Sequence, residues 1–272
     1  MGSVDDFVEY TRKMNEYVIT IREQSRIKYS DAIKELAEKR LFDIDTLEKL
    51  GVFYIGEQVD MITPLYMDLL NDFGVISSVD GKIMFRDRYM FPVKDCGGNV
   101  LNLCGYTYGS DVKYLYGTAK YYDRRDDLYG LENWYIAIQA GWAVIVEGIT
   151  DCVALRSIGI KNSFARCGTS KSEHVNEMIS RLKYGVIFIR DRDKAGDTTI
   201  KHWKSHRSVW VNICNGSKDI DEYMNSLKNR CNREELKKNV FECIDTCVEW
   251  LKKGLCAGMG AQITVENSYS LY

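Results

Sequence analysis

An α/β fold is predicted for this chain: a mostly helical start and a small mixed α+β segment, followed by an α/β subdomain with a mainly parallel sheet and a C-terminal helix. Two observations carry the prediction. Apolar, β-branched runs recur at 143–147, 162–166, 185–190 and 208–213, as strands buried on both faces of a parallel sheet read. Helical patterns at 151–158, 171–183, 195–205 and 219–228 alternate with them, which is the signature of parallel crossover units. Ahead of this region, 4–26, 30–40, 44–50 and 63–73 read as helices. The first has Phe7, Tyr10, Met14, Tyr17 and Val18 at helical spacing, and the last opens on Thr63-Pro64, a cap with proline at the first helical position. Strands at 83–94 and 99–106 meet at Gly97-Gly98-Asn99, a hairpin signal, and a less regular basic segment runs on to about 131. A helix over 233–253 and a tail without an assigned role complete the pattern. The expected division is 1–130, 131–228 and 229–272.

With 272 residues and 45% apolar content, the chain can bury two subdomain cores. No run of 18 apolar residues occurs, and the N-terminus lacks the order of a secretory signal, so a cytoplasmic monomer with no membrane contact is expected. Nine cysteines, an odd count, argue for reduced thiols: Cys96, Cys104, Cys152, Cys167 and Cys214 mostly sit in or beside apolar runs. Cys243 and Cys247 lie one helical turn apart, yet no CxxC pair or neighbouring histidine completes a set, so no zinc is expected. A net charge of −2 hides a local excess, because 81–130 holds eight Lys/Arg against six Asp, interleaved with tyrosines. Cations for phosphates and rings for bases suit a single strand of nucleic acid, although alternate tyrosines also suit a half-buried strand.

The chemistry concentrates in VIVEGITD at 144–151 and VIFIRDRDKAG at 186–196. Each delivers carboxylates from a buried strand to the carboxyl edge of a sheet. Glu147, Asp191 and Asp193 then share one rim, a hard-oxygen set for Mg²⁺ or Mn²⁺ and for phosphoryl transfer. Glu147 could also act as a general base or cap the helix starting near Thr150, and Asp151 could cap that helix or support the site from behind. Asp191 and Asp193 face one way along a strand, which is costly without a cation between them. A solvated turn neutralised by Arg190, Arg192 and Lys194 is the alternative. Arg86 and Arg88, two apart on a predicted strand, would form a fork for phosphates.

The pairing of EGxxD with DxDxAG resembles the Toprim domain. RDRYMFPVKDCGGNVLNLCGY at 86–106, DVKYLYGTAKYYDRRDDLYGL at 111–131 and ELAEKRLFDIDTLEKLGVFYIGE at 35–57 resemble, in order and spacing, what precedes that domain in bacterial DnaG-type primases. The resemblance spans about 30–227. It implies a DNA-dependent RNA primase core, Glu147, Asp191 and Asp193 as catalytic and metal-binding residues, and Asp219 and Asp221 in SKDIDEYM as further ligands. For the last two, helix capping with Glu222 is the alternative. It implies that Arg86, Arg88, Lys113 and Arg124 meet nucleotide or template, with Gly168 and Thr169 of a GTS element orienting a phosphate or capping a helix. Single-stranded DNA and NTPs are the implied substrates. Since the family's zinc module and helicase-binding domain have no counterpart here, a replicative helicase or separate zinc-binding protein is expected as partner, and a phage or mobile element as source. The sequence departs from the family at Arg192, a usual glycine; at Tyr106, a usual arginine; and at Tyr116-Gly117-Thr118, usually Asn-Ser-Pro. A Toprim nuclease and a non-catalytic single-strand binder are the competing expectations.

Overall fold

The computed structural model describes residues 4–56, 67–72, 75, 84–108, 110–117, 127–167, 172–189, 191, 207–212, 218–226, 233–254 and 261–264. The chain divides into two compact units, one of Met1–Lys39 and Asp43–Asp123, the other of Arg40–Phe42 and Arg124–Tyr272.

In the first unit, helices α1 (Val4–Lys28), α2 (Ala32–Arg40, its last residue counted with the second unit), α3 (Ile44–Leu50) and α4 (Met67–Asp72) accompany an antiparallel sheet. Its strands run in the order β1 (Phe53–Ile55), β2 (Arg88–Lys94), β3 (Val100–Tyr106) and β4 (Tyr114–Tyr116). Helix α1 buries Tyr10, Met14, Tyr17, Val18 and Ile21 on the face the periodicity predicts. Burying a side chain such as Met14 contributes about 1.5–3 kcal/mol. Phe7 is 37% exposed, so the apolar stripe begins one turn later than predicted.

Polar side chains then stitch α1 to the sheet. Ser25 Oγ donates to Tyr54 O at 2.8 Å and accepts from Tyr54 N at 3.1 Å, while Asn15 Oδ1 accepts from Val100 N at 3.1 Å. Strand β1, three residues long and too short for a period-2 signal, was not predicted. It exists through this pairing and its register with Arg88–Met90. The hairpin turn forms where Gly97-Gly98-Asn99 placed it. Asp95 Oδ1 accepts from Gly97 N and Asn99 N, both at 2.8 Å, and Gly98 takes φ 84. Cys96 is exposed on that turn, in contrast to buried Cys104, Cys152 and Cys167.

The second unit is a six-stranded sheet of order β10-β9-β8-β6-β7-β5. Strands β6 (Trp142–Val146), β7 (Ser163–Arg166), β8 (Gly185–Ile189), β9 (Ser208–Asn212) and β10 (Ala261–Thr264) pair in parallel, and β5 (Leu128–Tyr129) lies antiparallel to β7. Helices α5 (Trp134–Ala140), α6 (Ile149–Ser157), α7 (Glu173–Ser180), α8 (Ile220–Ser226) and α9 (Arg233–Lys252) connect or cover them. Val144, Val186, Ile187 and Val209 are fully buried, the reason these strands read as continuous apolar runs rather than alternating ones. Gly185 opens β8 at φ 118, and a Cβ there would lie 2.0 Å from Arg207 O, so only glycine allows β9 to approach. Strand β10, in the tail left unassigned by sequence, extends the sheet beyond β9. The predicted helix over 195–205 and Cys214 lie outside the described residues.

Candidate active site

Neighbouring parallel strands end side by side, about 4.8 Å apart. Because β6 pairs directly with β8, Glu147, just after β6, and Asp191, two residues beyond β8, emerge together at the carboxyl edge. Asp191 N donates to Glu147 Oε1 at 3.4 Å, a long contact that fixes their adjacency. Arg166 closes β7 on the other side of β6, 7% exposed; burial lowers its pKa, and attraction to Glu147 opposes that shift. Lys218 Nζ stands 3.9 Å from Asp191 Oδ2. Sequence reasoning missed Arg166, although the signal was the one that found Glu147: a charged residue ending an apolar strand.

Asp151 lies behind the rim as a tie between two elements. Its Oδ2 accepts from Gly148 N at 3.1 Å, closing the first turn of α6, and its Oδ1 accepts from Asp221 N at 3.0 Å, holding the start of α8. Both alternatives raised from sequence, cap and supporting partner, are therefore occupied by one side chain. Its carboxyl is buried, and its pKa is pushed well above the usual range by desolvation first, then by the charges of Asp219, Asp221 and Asp191. Four carboxylates crowd one edge.

Asp219 Oδ1 accepts from Glu222 N at 2.7 Å, and Glu222 in turn accepts from Lys218 N, so the capping arrangement weighed from sequence is formed. Asp221 is 1% exposed, and its Oδ2 accepts from Arg40 Nη1 at 2.6 Å while Oδ1 accepts from Asn225 Nδ2 at 3.0 Å. The expectation of Asp221 as a ligand at an open edge meets a different geometry, because an arginine far away in sequence already neutralises it. Arg40→Ala should leave this carboxylate buried without its cation and destabilise the second unit by about 3–5 kcal/mol. Asp221→Asn added to Arg40→Ala should recover part of that loss in a urea titration.

The basic segment also differs from the predicted fork. Residues 84–87 form a turn rather than strand, and Asp87 takes φ 53, which breaks the alternation. Arg86 is consequently exposed, whereas Arg88 is 9% exposed and donates from Nη1 to Val112 O at 3.0 Å, with longer contacts to Gly105 O and Lys113 O. Arg88 thus braces the loop leading to β4. Lys113 is exposed, its Nζ over the rings of Tyr114 and Tyr106 at 5.3 and 5.8 Å. Arg124, Gly168, Thr169 and Asp193 lie outside the described residues.

Residues 144–224 match the family model described as Toprim-like. The chain is 34% identical over 140 residues to the DNA primase of Pseudomonas aeruginosa, covering 49% of this chain and 20% of that protein. It is 31% identical over 218 residues to the DNA primase of Synechococcus elongatus, covering 71% of this chain and 31% of that one. The chain is similar to bacterial DNA primases over part of their length. Its fold is similar to a solved DnaG catalytic core, with TM-score 0.68 at 22% identity over 84% of this chain and 79% of that one. It is likewise similar to a DnaG primase catalytic domain bound to ssDNA, with TM-score 0.69 at 21% identity over 86% and 80%. The chain spans about a fifth to a third of the length of these curated relatives.

Among the described residues no group of three His, Cys, Asp or Glu side chains is arranged to hold a metal ion. The donor set nevertheless fits a hard divalent cation of the kind Toprim domains use. Glu147 and Asp191 offer adjacent carboxylates, and a cation there would offset the like charges that, after desolvation, push up the pKa of Asp151.

Proposed function

We propose that this chain is a primase core that joins ribonucleotides into short primers on single-stranded DNA. The observation that carries the reading is the adjacency of Glu147 and Asp191 at the carboxyl edge of a Toprim-like sheet. A bound Mg²⁺ or Mn²⁺, held by these two with Asp193, would supply charge stabilisation at the phosphates. In nucleotidyl transfer, the 3′-hydroxyl of one nucleotide attacks the α-phosphorus of the next, and pyrophosphate leaves. In this reading Glu147 takes the hydroxyl proton, and Arg166 and Lys218, near Glu147 and Asp191, supply positive charge to the phosphate oxygens. Asp219 stands at the same edge as a further ligand, with Asp221 reaching it only by parting from Arg40. Arg86, Lys113 and Arg124 are proposed to meet template or nucleotide phosphates, with Arg88 holding their scaffold and Gly168 and Thr169 orienting a phosphate. A replicative helicase or a separate zinc-binding protein is proposed to raise initiation above what the chain achieves alone.

The test is incubation with single-stranded DNA, labelled NTPs and Mg²⁺ or Mn²⁺. Short, RNase-sensitive products are expected, with no DNA cleavage when NTPs are withheld. Cleavage without synthesis would replace this reading with that of a Toprim nuclease.

A further inference from the structure

The first unit contains a cavity of about 530 Å³ that the catalytic reading does not use. One side is a continuous run of tyrosine rings. Tyr29 meets Tyr54 edge-on at 5.3 Å, Tyr54 meets Tyr89 at 5.0 Å, and Tyr89 meets Tyr108 edge-on at 5.8 Å. Polar groups fix it: Tyr54 donates its hydroxyl to Asp87, and Lys39 bridges Glu35 at 2.5 Å while lying 4.9 Å from the centre of the Tyr108 ring. Burial raises the pKa of Tyr89 to about 12, so that hydroxyl keeps its proton at any physiological pH. Rings offer stacking faces to a flat heterocycle, and the carboxylates of Glu35 and Asp87 offer acceptors to its amino groups.

Charge narrows the ligand. Lys28 and Lys39 line the cavity against Asp31, Glu35 and Asp87, two cations to three anions, a balance that opposes a polyphosphate inside. We propose that this cavity takes one unpaired nucleobase bearing an exocyclic amine, extruded from a single strand whose phosphates stay outside. The proposal rests on the chain acting on single-stranded DNA, and it adds a subsite in the first unit, built from tyrosines rather than from the carboxylate edge. Stacking should hold either base, and the amine contacts should favour oligo(dC), which carries the amine, over oligo(dT), which lacks it, by about fivefold to tenfold.

The experiment is fluorescence anisotropy with dye-labelled dC and dT dodecamers on the full chain, in buffer without metal or NTPs. Primer synthesis is scored separately, so a failure of either reading is distinguishable from a failure of the other. Ala32→Phe fills the cavity without removing any wall, and Tyr108→Leu removes one ring; thermal melts confirm that each is folded. The wild type should show the dC preference, Ala32→Phe should bind the two oligonucleotides equally, and Tyr108→Leu should weaken binding of both. Equal affinities in the wild type, or a preference that survives Ala32→Phe in the folded protein, would overturn the proposal. Free CMP binding as tightly as the dC dodecamer would overturn its assignment to a strand.

Discussion

Asp191→Asn is expected to lower primer synthesis by about a thousandfold, since losing one carboxylate from a divalent-cation set removes several kcal/mol of charge stabilisation at the phosphates. Asp193→Asn should do the same. Stability should move the other way. Asp191 is one of three charges that raise the pKa of buried Asp151, so without metal the Asp191→Asn chain should melt at the same temperature as the wild type or slightly higher. Adding Mn²⁺ should raise the melting temperature of the wild type and leave that of Asp191→Asn nearly unchanged, a readout independent of turnover. Unaltered primer yield in both variants, with metal present, would return these aspartates to a solvated turn.

A large effect on folding is also expected at Arg156, a residue of α6 with a side chain only 4% exposed. Its guanidinium donates to Gly130 O at 2.7 Å, to Ser163 O at 3.0 and 3.2 Å, and to Glu132 Oε1 at 2.5 Å. One planar group thereby joins α6, the start of β7 and the turn after β5. Arg156→Ala would leave Gly130 O only the Asn133 amide and Ser163 O only the Cys152 thiol in place of the guanidinium, and would part Glu132 from its cation; it should cost about 3 kcal/mol, or roughly 10 °C in melting temperature. Arg156→Lys should recover little, because a single ammonium cannot reproduce the fork. Glu132→Gln, which keeps an acceptor at a position 21% exposed, should cost much less.

The carboxylate edge was legible in the sequence because parallel strands buried on both faces leave unbroken apolar runs, and carboxylates ending such runs stand out. Glu147 and Asp191 were found this way, and burial of Val144 and Val186 shows why the runs are unbroken. What stayed hidden depends on contacts distant along the chain. Nothing near Asp221 announces Arg40, 181 residues away. Nothing in the RDR triplet shows that Asp87 adopts a left-handed backbone and sends its neighbours to different environments. Arg156 reads as an ordinary helix arginine until Gly130 and Ser163 are brought to it. Strands β1 and β10 were missed because three or four residues carry too little pattern, and each is fixed by the partner it pairs with.

Strand β10 gives the tail a protective role. By pairing Ala261–Thr264 with Val209–Asn212, it occupies the hydrogen-bonding groups along one flank of β9, whose Val209, Trp210 and Val211 are all buried. Cut away, it would leave a bare apolar strand at the sheet margin, a template on which a second molecule could add its own strand. Shortening the chain after Gly254 should therefore promote self-association, read as a larger species in size-exclusion chromatography.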